Sequence, residues 1–459
     1  MALIDNRLQR MVMLCVMYVA QGIPWGFMAT AVVSFITATN AEVTDEQIGQ
    51  LTAMIILPWT FKLIWAPLID SLTIRSMGRR RSWIIGAQGM MAMSLLGMLA
   101  LGDITQNIQL LGWMFFIHNC FASLQDVATD ALAVDILPAK EQGLVNGLMW
   151  GSKLAGKGAG AFFGGLLIAE WGFTTAVMTQ FGSLLVIMLF PLWMLERPGE
   201  KRFPWSKSSP QQRPDLENTL VSPAPSGPFV EGMKNTTESA AASSGQAGAR
   251  SPLLVIQDLV LGFSLRSTFV HFFFGLLCVV GWGIVEVVTK PLYTRDLGWS
   301  AKDYSQWEGL AVVPMLLGTL IGGFLADRLG KKAIIAGGFL IYGGMTLFFA
   351  WNSHLWPVEW FAIGYLLLKE AGLAAGATGY NAIGMQLSWT KSSATMFTMY
   401  MTVSNVGHVA GNWLVGPLTE TLDYSQTLQV AGFFMVVPLL LLFLINPRQV
   451  DEKKSLEEE

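Results

Sequence analysis

Charge is what this sequence has least of. Only 13% of its 459 residues are Asp, Glu, Lys or Arg, where a soluble domain carries roughly 25%, so an ordinary water-facing surface cannot be assembled from them. Cysteine is scarcer still. Cys15, Cys120 and Cys278 all sit in apolar stretches, which excludes a disulfide framework and leaves them as small core residues. The four histidines are scattered, His118, His271 and His408 on separate apolar runs and His354 between two of them, so acid–base or metal chemistry finds little to work with, and neither a metal nor a cofactor is expected. No G-x-x-x-x-G-K-[ST] phosphate loop occurs, which removes ATP as a direct energy source. A net charge of −3 gives no reason to expect a nucleic-acid partner.

What the chain does have is apolar length. Hydrophobic residues make up 53% of it, with 47 glycines and 17 tryptophans, a composition suited to closely packed helices in lipid with aromatic side chains at the interfaces. A span needs roughly 20 mostly apolar residues. Twelve such runs can be drawn, at 11–36, 48–69, 83–102, 109–137, 143–169, 173–195, 268–292, 304–326, 332–351, 357–388, 393–419 and 426–446. Arg7 and Arg10 before the first run have the look of a signal peptide, but the run outlasts a typical apolar core and others follow, so it is read as the first span.

Residues 197–252 differ in kind, as SPAPSGP (222–228) and ESAAASSGQAGA (238–249) show. Such a stretch cannot bury a core and is expected to be a disordered cytoplasmic linker. It divides the chain into a bundle of six spans at 1–196 and a second at 253–447, with a tail at 448–459. The apolar segment Leu253 to Leu265 is too short to span and is expected to lie along the membrane surface. With both termini cytoplasmic, 22 of the 29 Lys and Arg fall inside, three outside and four within spans. Without the eight between Arg197 and Arg266 the ratio is still 14 to three, a strong positive-inside bias. The fold class expected is thus all-α integral membrane.

The two halves repeat a loop. After the second run come Asp70 and Gly78-Arg79-Arg80-Arg81, and after the eighth come Asp327-Arg328-Leu329-Gly330-Lys331-Lys332. This resembles the loop signature of the major facilitator superfamily, whose halves contain inverted three-helix repeats. The resemblance implies a cytoplasmic gate built from Asp70, Gly78, Arg79, Arg80, Arg81, Asp327, Arg328, Gly330 and Lys331, with Asp135 near it; a plain topology anchor is the alternative. Seven residues separate Asp70 from Gly78, but only two separate Asp327 from Gly330. That longer first loop, with LPWTFKLIWAPLIDS (57–71), GRRRSW (78–83) and QDVATDALAVDILPAKEQG (125–143), is similar to the AmpG-type permeases and their relatives, the acetyl-coenzyme A transporters and some siderophore permeases. The likeness implies a muropeptide-like, siderophore or comparable cargo.

Ionisable residues at membrane depth are costly and usually line a cavity or face a partner. Asp126 and Asp130 lie four apart on the fourth run, and Lys153 and Lys157 repeat that spacing on the fifth, so two carboxylates are expected to face two ammoniums. That set is either a proton switch or a permanent lock. Lys62 attracts an anionic group on substrate or pairs with an acid of the fourth run. Gly156, Gly160 and Gly164 form a packing stripe. Glu286 and Lys290 line the pathway or snorkel outward. Lys369 and Glu370, being adjacent, point about 100° apart and are expected to seek different partners. Asn405, His408 and Asn412 form a polar face suited to sugar or amide recognition or to helix packing, and Gln21 belongs to a similar stripe with Tyr18 and Trp25.

These features together point to a monomeric secondary transporter that moves a small polar or anionic solute by alternating access, with import coupled to protons. A facilitator or exporter of the same fold is the alternative, ahead of a non-transporting receptor or an embedded enzyme. In a bacterium the inner membrane would hold it.

Overall fold

The computed structural model describes residues 2–72, 74–203, 205, 252–388, 393–446 and 449–450, and among these the regular structure is helical. Thirteen labels suffice: α1 (Arg7–Thr39), α2 (45–71), α3 (Arg81–Leu99), α4 (Ile108–Ile136), α5 (139–171), α6 (173–193), α7 (Pro252–Phe263), α8 (Arg266–Asp296), α9 (301–329), α10 (Lys331–Trp351), α11 (Glu359–Leu387), α12 (Ser393–Thr419) and α13 (Tyr424–Leu444). Polar side chains start several of them. Asn6 accepts from the Gln9 N–H at 3.1 Å, and capping boxes at Thr44 with Gln47 and Asp423 with Gln426 open α2 and α13, occupying amides that a helix start leaves unpaired. α5 and α6 are continuous except at Gly172, whose φ of 81° turns the chain back, a conformation glycine adopts at little cost.

Among the described residues, eight helical stretches are long and apolar enough to cross a membrane, counting α5 and α6 as one. Among the longer helices, α4, α11 and α12 fall short because they carry several buried polar groups: Gln125 and Asp126, Lys369 and Glu370, His408 and Asn412. Outward faces are apolar instead, with Phe443 85% exposed and Leu320 70% exposed. Polar inside and apolar outside is the arrangement a bilayer favours, since lipid covers the apolar faces at no cost while polar groups find partners within the protein.

Two bundles result. α1 packs on α5 while α3 packs on α4 and the α5–α6 pair; in the second half α8 packs on α12 and α13, and α11 on α9 and α10. The glycines at 156, 160 and 164 set the α1–α5 distance: a Cβ at Gly156 would lie 2.8 Å from the Val19 carbonyl oxygen, and one at Gly160 would collide with that of Ile23. Leu3 N–H donates to the Leu195 carbonyl at 2.7 Å and the Ser267 hydroxyl to that of Asn446 at 2.9 Å, so the start and end of each bundle share one face, called here the terminus side.

The halves meet along α2–α12 and α5–α9. Gly158 and Gly309 touch backbone to backbone, each placed so that a Cβ on it would lie 2.7 Å from the other's carbonyl oxygen. Among the described residues, hydrogen bonds and ion pairs between halves concentrate opposite the terminus side. Arg295, placed by a π-helical turn at Leu292–Asp296, donates to the carbonyls of Thr37 (3.1 Å), Asn40 (3.2 Å) and Val43 (2.7 Å) and pairs with Asp45 at 3.3 Å. Ser34–Ser305 (2.9 Å), Thr294–Thr37 (2.9 Å) and Lys302–Glu170 (2.6 Å) join it.

The expected linker begins as ordered chain: Lys201 N–H donates to the Ser76 carbonyl at 2.8 Å. Residues 206–251 and 451–459 lie outside the described residues. The segment before α8 is the helix Pro252–Phe263.

Candidate functional site

The deepest charges of the first half gather on one carboxylate. Asp126, 1% exposed on α4, lies 2.5 Å from the Lys62 ammonium of α2 and 3.3 Å from that of Lys153 on α5. Lys62 reaches it because Leu57–Phe61 winds as a 3₁₀ turn with Pro58 at its start, which rotates the following helix. Trp59 supplies a π face 3.9 Å from Lys153, a favourable seat for a desolvated cation. Asp130, one turn further along α4, accepts from the Tyr18 hydroxyl of α1. Beside this set an amide chain runs from Gln21 to Gln125 (2.6 Å) to Gln88 (3.2 Å).

The pairing thus differs from two acids facing two lysines of α5. Lys62 takes the second place at Asp126, and Lys157 points elsewhere, over the Trp25 ring at 4.7 Å. Residues four apart on a helix diverge by about 40°, which is enough to aim Lys153 at α4 and Lys157 at the seam between the halves.

The second half has its own buried set. Glu286 on α8 holds His408 of α12 at 2.5 Å, and the His408 ring stacks on Trp282. Lys290 does not snorkel: it is 2% exposed and its ammonium folds back on the Glu286 carbonyl. Lys369 and Glu370 pair with one another at 2.6 Å, against the expectation of separate partners, and Lys369 also lies 3.6 Å from Glu308. Long side chains bridge the divergence that adjacency imposes. Asn412 is buried with neither side-chain atom hydrogen-bonded, while Asn405 donates to the Trp59 carbonyl across the halves at 3.4 Å. Lys157, Glu308 and Glu370 line one small cavity with Thr30.

The basic loops make contacts within their own halves. Glu196 accepts from the backbone N–H groups of Arg79 (2.9 Å), Arg80 (2.7 Å) and Arg81; burial pushes its carboxyl up, against the pull of those donors. Gly78, at φ 104°, leaves no room for a side chain beside Glu196. Arg80 pairs with Asp135 at 3.0 Å. Arg81 is a structural tie, its guanidinium holding the carbonyls of Pro191 (2.5 Å), Leu192 (2.7 Å) and Lys201 (3.0 Å). In the second loop Arg328 lies over Phe324 at 4.2 Å, Gly330 turns the chain at φ 90°, and Lys331 donates to Gln386 at 3.1 Å. The side chains of Asp70 and Asp327 lie outside the described residues. Arg295, Trp59 and Glu196 are residues that the sequence does not single out; only the place of an Arg on the side poor in basic residues hints at the first.

The family model of the Major Facilitator Superfamily matches residues 11–411 and 271–459. The anhydromuropeptide permease of Escherichia coli (strain K12) is 24% identical over 441 residues, covering 95% of this chain and 79% of that protein. The quinolone resistance protein NorA of Staphylococcus aureus is 27% identical over 186 residues, 38% of this chain and 45% of that one. In three dimensions the nucleoside transporter NupG superposes with a TM-score of 0.65 at 12% identity, covering 96% of this chain and 99% of that structure.

Proposed function

Because the chain belongs to the Major Facilitator Superfamily, and is a multi-pass membrane transporter rather than an enzyme, we propose that it carries a small polar or anionic solute inward by alternating access, coupled to protons. In this reading twelve spans form bundles at 1–196 and 253–447, joined by a linker at 197–252, with both termini and the 448–459 tail in the cytoplasm and a monomer as the working unit. The basic residues that crowd the terminus side support that orientation. Muropeptide-like solutes lead the list of cargoes, with siderophores next, on the likeness to the E. coli permease.

One observation carries the proposal: Lys62, Lys153, Asp126 and Asp130 form a set of two ammoniums and two carboxylates, with Asp126 and Lys153 buried and the other two half-buried. A proton arriving at Asp130 leaves both ammoniums facing a single carboxylate. The excess positive charge then draws in an anionic group, and release of that group on the other side favours loss of the proton. Cation and anion sites coupled in this way make solute and proton move together, since either alone leaves a net charge at low dielectric.

Uptake into proteoliposomes with an imposed pH gradient tests it, using muropeptides, siderophores, nucleotide thioesters and sugars as cargoes. Accumulation that collapses with a protonophore supports symport; equilibration indifferent to the gradient identifies a facilitator. Asp130→Asn should abolish accumulation while retaining exchange, and unchanged accumulation rejects Asp130 as the proton carrier.

A further inference from the structure

The buried charges do not balance within each half. In the first, Lys62 and Lys153 are matched by Asp126 and Asp130; Lys157 is then left over, resting on Trp25 without a carboxylate within ion-pair distance among the described residues. In the second, Lys290 stands one turn from Glu286, whose carboxylate holds His408. That leaves Lys369 as the single cation for both Glu308 and Glu370. Each of those glutamates keeps one oxygen, Oε2, buried and without a hydrogen-bond partner, and Glu370 is only 4% exposed. With His408 counted as neutral, the first half therefore carries one excess positive charge and the second one excess negative charge, and Lys157, Glu308 and Glu370 line the same small cavity at the seam together with Thr30.

An uncompensated charge in a low-dielectric interior is expensive. In the conformation seen here the halves stand close enough at Gly158–Gly309 for each excess to face the other. When the halves part, both are exposed to the pathway and need new partners. Resting on the transporter reading, we infer that the seam is a binding site for a small zwitterion, whose anionic end is taken by Lys157 on α5 and whose ammonium is taken by Glu308 and Glu370 on α9 and α11. A ligand with one charge satisfies one half and strands the other. A ligand with both bridges the halves, so that its binding and their closure are the same event.

The test uses four forms of one compound, alanyl-alanine: free, N-acetylated, C-amidated and blocked at both ends. Binding is read by calorimetry and by thermal shift on the purified full chain in nanodiscs. The free form should bind more than about tenfold tighter than either singly blocked form, the loss expected for one charge-assisted contact. Lys157→Met should erase the preference over the amidated form alone. Glu308→Gln, with Glu370→Gln as the second variant should the first unfold, should erase the preference over the acetylated form alone. A purely structural role for these residues would change the melting temperature and leave the ranking of the four forms intact, and that result overturns the inference. So does a doubly blocked form that binds as well as the free one, or no binding by any form. Counterflow of the bound dipeptide separates the two readings: selective binding without exchange leaves the charge inference standing and refutes transport.

Discussion

Replacing Arg295 with Ala should open the side of the protein opposite the termini. The guanidinium reaches from α8 to three carbonyls and the Asp45 carboxylate of the other half, and its side chain is 21% exposed. A hydrogen bond to a charged group contributes about 1.5–3 kcal/mol, but partial solvation and the return of water to the freed carbonyls reduce the sum. A net loss of about 3 kcal/mol is a fair value for the whole cluster, equivalent to about two orders of magnitude in the equilibrium between conformations. A population of roughly 99% closed on this side would fall to about half. Arg295→Lys keeps the attraction to Asp45 but not the fork to three carbonyls, and should fall between the two. The assay is maleimide labelling of Ser34→Cys, which is buried against Ser305 in this conformation, in a background lacking Cys15, Cys120 and Cys278. Labelling should accelerate in Arg295→Ala by about the factor by which the open population grows. An unchanged rate in a variant that melts normally would refute the latch.

Three further outcomes follow from the packing and the charges. Asp126→Asn strands the ammoniums of Lys62 and Lys153 and should lower stability by about 3–5 kcal/mol; adding Lys153→Met should restore much of the melting temperature without restoring accumulation. Gly160→Leu forces a side chain into the Ile23 backbone and should cost about 1–3 kcal/mol or more, seen as lost monodisperse yield, whereas the same change at Gly182, which faces open space, should be tolerated. In the turn between α3 and α4, the hydroxyl and N–H of Thr105 hold the Asp103 carboxyl below its usual range. A lowered acid stabilises above its unfolded value and loses that contribution as pH falls through the folded one. The protection of the Thr105 amide against exchange, relative to its intrinsic rate, should therefore fall below about pH 4, and Asp103→Asn should remove that dependence.

The sequence made the membrane class and the fold readable because lipid imposes one simple requirement, apolar length, on every crossing segment. It also exposed Asp126, Lys153 and His408, since a charge inside an apolar run is conspicuous. Partners were harder to see. An acid of the fourth run was one of the two partners open to Lys62, but the 3₁₀ turn that aims it at Asp126 has no reliable mark beyond Pro58. Lys290 looked close enough to a helix end to reach water, but the end of α8 is plugged by the first half through Arg295 and Thr294. Arg81, placed in a gate by its loop, ties down carbonyls at and beyond the end of α6. In each case the deciding fact is which helix lies opposite, a property of the assembled bundle.

The meeting of Gly158 with Gly309 has a mechanical consequence. Where bundles interlock through side chains, sliding is resisted because each must change rotamer to pass its neighbour. At this crossing, as where Gly49 meets the Asn412 carbonyl between α2 and α12, backbone bears on backbone, so one rod can roll over the other with little to unmesh beyond Val312 and Phe162. It is a smooth bearing between α5 and α9, and any tooth added to it would be felt as friction in turnover before it was felt in folding.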